Sequence, residues 1–226
     1  MRDSSKLGMT RNLVIVGAGG LGRELLVLVR QLGEARPAEA FNMVGWLDDG
    51  RTAGTTVDGY PVLGGVRDYE RVATGHAVVL GIGDPATKKM LVETFPRGTK
   101  FPVLVHPTVQ LAPHQQITLG EGCVIAAGTV LTTNIKLGRH VFLNLNCTVG
   151  HDAEIGDFCA FMPAVNISGE CQLGESVYFG TGALIINRVK VGSGTIVGAG
   201  AVVTRDLPGG VTAVGMPARP LVKDGK

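Results

Sequence analysis

The chain has almost no charge imbalance. Its 21 basic and 19 acidic residues leave a net charge of +2 over 226 residues. That provides no electrostatic footprint for a nucleic acid, so no nucleic-acid partner is expected. No apolar run reaches the length of a membrane span and no secretory leader pattern is present, so we expect no membrane partner and a cytoplasmic location. Only four cysteines occur, Cys123, Cys147, Cys159 and Cys171. Each falls on a track of small residues, where cysteine serves as a small buried side chain. Cys123 and Cys159 would share a side two coils apart, about 9–10 Å at normal strand spacing, too far for a disulfide. Residues 1–9 read as a polar, loose start.

The sequence also lacks, beyond residue 103, the 3.6-residue period of a helix and the simple alternation of a strand. What it has is a period of six. From Leu119 every sixth residue is apolar through Val203: Leu119, Ile125, Leu131, Leu137, Leu143, Val149, Ile155, Phe161, Ile167, Leu173, Phe179, Ile185, Val191, Val197 and Val203. At 45% apolar composition chance gives that register on the order of one time in a hundred thousand. A second track lies two residues earlier and is small or β-branched throughout, from Ile117 and Cys123 to Thr195 and Ala201. Such a period fits a triangular solenoid in which each hexad is one short side and three hexads close a coil. Gly120, Gly138, Gly156, Gly174 and Gly192 recur every 18 residues, where a corner must bend tightly or pack closely. Five coils at strand spacing rise roughly 24 Å. Upstream, Pro107 and Pro113 occupy the track and predict an irregular first turn; Pro208, Pro217 and Pro220 are expected to stop the sheet.

The N-terminal part reads differently. Strand Asn12–Val16 leads into Gly17-Ala-Gly-Gly-Leu-Gly22, followed by a helix over Arg23–Leu32. This is G-x-G-x-x-G between strand and helix, the setting in which backbone N–H groups and a helix N-terminus cradle phosphate. A second strand, Met43–Leu47, ends in Asp48-Asp49, and a third, Ala77–Ile82, ends at Gly83-Asp84. Carboxylates at the end of the second strand suit ribose or base hydrogen bonds. About 90 residues are half of a doubly wound dinucleotide domain, so a mononucleotide or nucleotide sugar fits better than a nicotinamide dinucleotide. A tight turn without ligand is the plain alternative. We divide the chain into a Rossmann-like domain over 10–102, a β-helix over 103–207 and a C-terminal cap over 208–226.

His151-Asp152 follows Val149-Gly150 at a corner, where side chains project outward. A histidine there can act as a general base at neutral pH, with a carboxylate fixing its tautomer; a surface histidine without a task is the alternative. No histidine follows His151, and the nearest upstream, His140, is eleven residues away. That spacing argues against a three-histidine zinc site, and no metal is expected.

Taken together, Gly17-Ala-Gly-Gly-Leu-Gly-Arg-Glu24, Gly45-Trp-Leu-Asp-Asp49, Leu80-Gly-Ile-Gly-Asp84, Val105-His-Pro107, His151-Asp-Ala-Glu-Ile-Gly-Asp157 and Gly215-Met-Pro-Ala-Arg219 resemble one family. It is the bacterial sugar O/N-acyltransferases of the sialic-acid O-acetyltransferase and nucleotide-aminosugar N-acetyltransferase type, over about Arg11 to Leu221. The resemblance implies a left-handed hexapeptide-repeat β-helix, a homotrimer, acetyl-CoA as cosubstrate, a nucleotide-linked amino sugar as acceptor and a place in surface polysaccharide biosynthesis. It also implies roles for residues. His151 would be the general base and Asp152 its tuner, and Gly169 would offer a backbone N–H near the acetyl carbonyl. Thr181, Gly182, Gly198 and Ala199 would line the acetyl-CoA arms. Ala160 would stand where some relatives place a histidine on the acetyl group. Gly19, Gly20, Asp48, Asp49 and Gly83 would form the nucleotide-sugar pocket, with Leu21 where many relatives carry histidine, and Asn144 would face the sugar. The expected reaction is direct transfer of acetyl from acetyl-CoA to a UDP- or GDP-linked amino sugar. Sugar O-acetylation and a non-catalytic nucleotide-sensing trimer are the alternatives.

Overall fold

The computed structural model describes residues 11–221. The polar start over residues 1–9 and the last five residues of the C-terminal cap lie outside the described residues. The chain forms two compact units. One holds the residues up to Ile82 together with Met90–Pro102; the other holds Gly83–Lys89 together with the chain from Val103 onward.

The first unit is a five-stranded sheet. β1 (Arg11–Val16) pairs in parallel with β2 (Phe41–Leu47) and with β5 (Ala77–Leu80). Outside β2 lies β4 (Tyr60–Gly64), parallel to it, and β3 (Thr56–Val57) closes the edge as an antiparallel hairpin with β4. Asp58 and Gly59 at its turn both have positive φ, 45° and 84°, as a two-residue hairpin turn requires. The helices are α1 (Gly20–Ala35), the single turn α2 (Tyr69–Val72) and α3 (Pro85–Thr94), whose first residues belong to the second unit. α1 buries Leu25, Leu28, Val29 and Leu32, a helical stripe at three- and four-residue spacing. It starts earlier and ends later than the apolar pattern over Arg23–Leu32 predicts, because its first turn is built from the glycine loop itself. The third strand stops at Leu80, short of the expected Ile82.

The second unit is a three-sided parallel β-helix made of two-residue strands. On its first face lie Thr118–Leu119, Lys136–Leu137, Glu154–Ile155, Gln172–Leu173 and Lys190–Val191. The second face carries Leu104–Val105, Val124–Ile125, Phe142–Leu143, Ala160–Phe161, Tyr178–Phe179 and Ile196–Val197. Val130–Leu131, Thr148–Val149, Asn166–Ile167, Leu184–Ile185 and Val202–Val203 form the third. From Thr118 to Val203 the strands pair across 18 residues, as Glu154 does with Lys136 and Gln172. The six-residue apolar track points inward and, with the second track, forms one continuous core.

The corners show how the chain turns. A left-handed residue recurs at every sixth position from Gln116 to Gly200, for example Asn134, His140, Asp152 and Glu170 with φ of 52°, 56°, 59° and 59°. The glycines spaced by 18 lie two positions earlier and do not bend the chain. They let one coil sit on the next: a Cβ on Gly156 would stand 2.6 Å from the Gly174 carbonyl carbon and 2.7 Å from the Glu175 nitrogen. The second track carries a further device. Cys123, Thr129 and Cys159 point inward and donate to corner carbonyls 15 residues ahead, those of Gly138, Asn144 and Gly174. Small size and a donor head together fill the core and satisfy the corner carbonyls.

The ends differ in part from expectation. Before the first full coil, Leu104–Val105 already pairs on the second face and a short 3-10 turn spans Pro113–Gln115, the irregular entry that the prolines predict. At the other end the prolines do not stop the sheet. Thr212–Val214 continues the second face in parallel with Ile196–Val197, and Arg219–Pro220 pairs antiparallel to Thr212–Val214. Pro208 and Pro217 fall between strands and Pro220 sits on the edge strand, so none interrupts a paired N–H.

Gly156→Ala would force a side chain into backbone. We expect it to lower unfolding free energy by about 2–3 kcal/mol, read from urea unfolding midpoints.

Candidate active site

In the first unit, the turn after β1 sets the glycine loop. Gly17 has φ of 86°, and a Cβ on Gly22 would stand 1.8 Å from the Gly17 carbonyl oxygen. Helix and strand therefore meet backbone to backbone. Gly19 precedes α1, no side chain caps that helix, and Cβ atoms at Gly19 and Gly20 would meet open space. The exposed N-terminus of a 16-residue helix can hold a phosphate on its free N–H groups. Leu21 is half-buried beside it.

The two aspartates have distinct local jobs. Asp48 accepts from the Ala18 N–H at 2.7 Å and from the Gly50 N–H at 2.9 Å, which ties the loop to the end of β2. Asp49 is exposed and accepts from the Val66 N–H at 2.8 Å through Oδ1.

In the second unit, His151 and Asp152 stand at the corner between the third and first faces, both exposed. His151 Nδ1 lies 2.7 Å from Asp152 Oδ2. A carboxylate only accepts, so Nδ1 carries the proton in the neutral ring and Nε2 keeps its lone pair. Asn134, one coil below, donates from Nδ2 to Asp152 Oδ1. The Asn134 amide and then the His151 ring hold the Asp152 carboxyl below its usual range. Gly169, one coil above, packs against the imidazole: a Cβ there would stand 2.6 Å from Nε2. A side chain at 169 would have to displace the ring from this position.

The other expected residues gather elsewhere. Thr181, Gly182, Gly198 and Ala199 fall together at the corner between the second and third faces. Asn144 belongs to that same corner, but it is buried and its Oδ1 accepts from the Leu145 N–H at 2.7 Å. Ala160 is wholly buried on the second face. One chain thus presents two separate corner groups, and His151 belongs to only one of them. Gly83 lines a cleft of about 480 Å³ with Asp84, Pro85, Met162, Ser176 and Tyr178. Met162, Ser176 and Tyr178 are absent from the sequence-based expectation. The 18-residue spacing of the lining Ser176 and Gly194, and of Tyr178 and Ile196, is the signal that could have found Ser176 and Tyr178; no such spacing marks Met162.

Several reactive-looking groups are removed from chemistry by burial. It pushes the Cys123 and Cys147 thiols up to about 11 and Cys159 up to about 12, so none is a thiolate nucleophile at neutral pH. Lys88 is buried, donates to the His140 carbonyl at 2.9 Å, and is drawn down to about 8 by desolvation. His140 is stacked on Phe158 at 5.2 Å between centroids, and burial first, then Lys88 and Arg139, lower it to about 4. Among the described residues no group of histidine, cysteine and carboxylate side chains is placed to hold a metal ion. No helix there is long and apolar enough to cross a membrane.

Comparison with known proteins places these features together. Residues 12–95 match the PglD N-terminal domain, and residues 170–205 match the bacterial transferase hexapeptide of six repeats. The chain is 30% identical over 218 residues to the GDP-perosamine N-acetyltransferase of Escherichia coli O157:H7, spanning 91% of this chain and 94% of that protein. It belongs to the hexapeptide-repeat sugar acyltransferases. The three-sided coil is accordingly the left-handed β-helix of that family. Two solved structures align over nearly the whole chain. The acetyltransferase domain of PglB from Neisseria gonorrhoeae FA1090 in complex with acetyl coenzyme A has a TM-score of 0.83 and 33% identity, covering 94% of this chain and 100% of that one. PerB from Caulobacter crescentus in complex with CoA and GDP-perosamine has a TM-score of 0.81 and 29% identity, covering 93% and 97%.

Burial of neutral His140 has a pH consequence. Unfolded, its ring gains a proton near 6.5; folded, only near 4. Protonation then favours the unfolded chain, so stability falls as pH drops between those values, by on the order of 3 kcal/mol. Urea unfolding at pH 7, 5.5 and 4.5 should show a shallower loss in His140→Asn, which keeps a residue tolerant of positive φ.

Proposed function

We propose that this chain is an acetyl-CoA-dependent N-acetyltransferase acting on a nucleotide-linked amino sugar. The observation that carries the reading is the likeness along nearly the whole chain to a GDP-perosamine N-acetyltransferase, joined to an ordered histidine–carboxylate pair at an exposed corner of the β-helix. The N-terminal unit supplies the nucleotide diphosphate site: phosphate on the open N-terminus of α1 around Gly19, Gly20 and Leu21, and ribose or base on Asp49. Asp48 shapes that loop rather than reaching the ligand. GDP is the nucleotide in the near full-length relatives whose names state one.

The β-helix carries the transfer. The sugar amine attacks the thioester carbonyl of acetyl-CoA while His151 Nε2 takes its proton. The C–S bond breaks, and the imidazolium returns that proton to the departing thiolate, giving the N-acetyl sugar and CoA. Asp152 holds Nδ1–H and stabilises the imidazolium. The Gly169 N–H, which has no acceptor among the described residues, supplies the oxyanion donor. With the thiols protonated and buried, direct transfer replaces an acyl-enzyme.

The two corner groups within one chain favour a homotrimer in which Thr181, Gly182, Gly198 and Ala199 of one copy hold acetyl-CoA against His151 of the next. Exposed apolar residues on the β-helix, Val130, Leu145 and Ile186, support such packing of copies. A soluble cytoplasmic enzyme is consistent with its substrates.

The test is thiol release from acetyl-CoA with GDP- and UDP-linked 4-amino sugars and free sialic acid. Turnover with a nucleotide-linked amino sugar is expected; turnover with sialic acid alone would overturn the N-acetyl assignment. In the same assay His151→Ala should lower kcat/KM by about 10²–10⁴-fold, with the residual rate coming from proximity. An unchanged rate would remove His151 as the base.

A further inference from the structure

We propose that Asn134 is a positioning residue for the transfer, holding the Asp152 carboxylate so that its second oxygen stays on His151 Nδ1. The inference rests on the reading of His151 as the proton acceptor.

Asn134 lies 18 residues before Asp152, so the two share one corner column of the β-helix. Both adopt left-handed backbone, with φ of 52° and 59°. That conformation fixes where each side chain leaves the corner, and both backbones are tied down. The Asn134 N–H donates to the Gln115 carbonyl at 2.7 Å and the Asp152 N–H to the Thr133 carbonyl at 3.1 Å. Asp152 then has two partners for its two oxygens: Asn134 Nδ2 on Oδ1 and His151 Nδ1 on Oδ2. A carboxylate next to an exposed histidine has two free torsions and water to compete for it. The amide from the coil below removes that freedom, because it is a neutral donor that leaves the other oxygen to the histidine.

The surrounding charges do not substitute for it. One coil above Asp152 in the column, Glu170 is paired to Arg188 at 3.0 Å. Below Asn134 the column continues with Gln116. On the adjoining first face Lys136 and Glu154 pair with each other at 2.7 Å. Asn134 is also the largest influence lowering the Asp152 carboxyl. Sequence spacing alone does not flag it, since asparagine at a left-handed corner is ordinary.

Asn134→Gly keeps the left-handed backbone and removes only the amide. The full chain, with histidine rings labelled for NMR and His151 assigned by His151→Ala, gives a readout that needs no acceptor. Without Asn134 the carboxylate spends time away from Nδ1 and the imidazolium is less stabilised. The ring-nitrogen shifts of neutral His151 should therefore report a smaller Nδ1–H tautomer fraction than in the wild type. With acetyl-CoA and the accepted nucleotide-linked amino sugar, kcat should fall about 3–10-fold with KM for acetyl-CoA within about twofold. Asn134→Gly should add no further loss in an Asp152→Ala background, and Asn134→Gln should restore part of the rate. An unchanged His151 tautomer ratio, or an equal loss with and without Asp152, overturns the proposal. If Asn134→Gly changes the tautomer ratio while His151→Ala leaves turnover unchanged, the reading of the base has failed rather than the positioning by Asn134.

Discussion

The 18-residue register of the coil is the constraint on which the β-helix and its site depend. Each two-residue strand is too short to be stable alone. It exists because its N–H and C=O groups pair with the strands 18 residues away on both sides, as Glu154 does with Lys136 and Gln172. The same register decides which side chains meet. Lys136 reaches Glu154, Arg139 reaches Asp157, and Asn134 reaches Asp152, each across 18 residues. The first two pairs are exposed and contribute little to stability. The third orders the carboxylate that faces His151. Gly169 obeys the register too, since the ring of His151 occupies the space its Cβ would need.

Much of this is legible in the sequence for a physical reason. A solenoid converts a one-dimensional period into a fold, so the apolar positions at six-residue spacing specify inward faces without knowledge of distant contacts. The glycine loop is equally readable, because a strand, Gly17–Gly22 and a helix are local. What stays hidden depends on contact across coils or on turn chemistry. The bend sits at the left-handed position rather than at Gly120, Gly138 or Gly156, because glycine serves close packing and left-handed geometry alike and spacing does not separate the two. The prolines near the C-terminus look like breakers, yet two further strands add to the sheet beyond Pro208. The hairpin of β3 and β4 is short, although Asp58-Gly59 announces its turn. Asp48 accepts from the Ala18 and Gly50 N–H groups and Asn144 from the Leu145 N–H, contacts that no spacing announces.

The site divides along the same geometry. His151, Asp152 and Gly169 share one corner, while Thr181, Gly182, Gly198 and Ala199 share another. Corners of a rigid prism do not approach one another within a chain. A prism brings two of its corners to one substrate by setting identical copies side by side, which is the physical ground for proposing a site shared between copies.

The most direct measurement is activity of mixed assemblies. His151→Ala disables one corner, and Thr181→Trp, at an exposed position of ordinary backbone, blocks the other. Each variant alone should be nearly inactive. Chains co-expressed in equal amounts should regain about a quarter of the wild-type rate, the fraction of interfaces at which two intact corners meet in a randomly mixed ring. A mixture no more active than its two parents would contradict a site shared between copies.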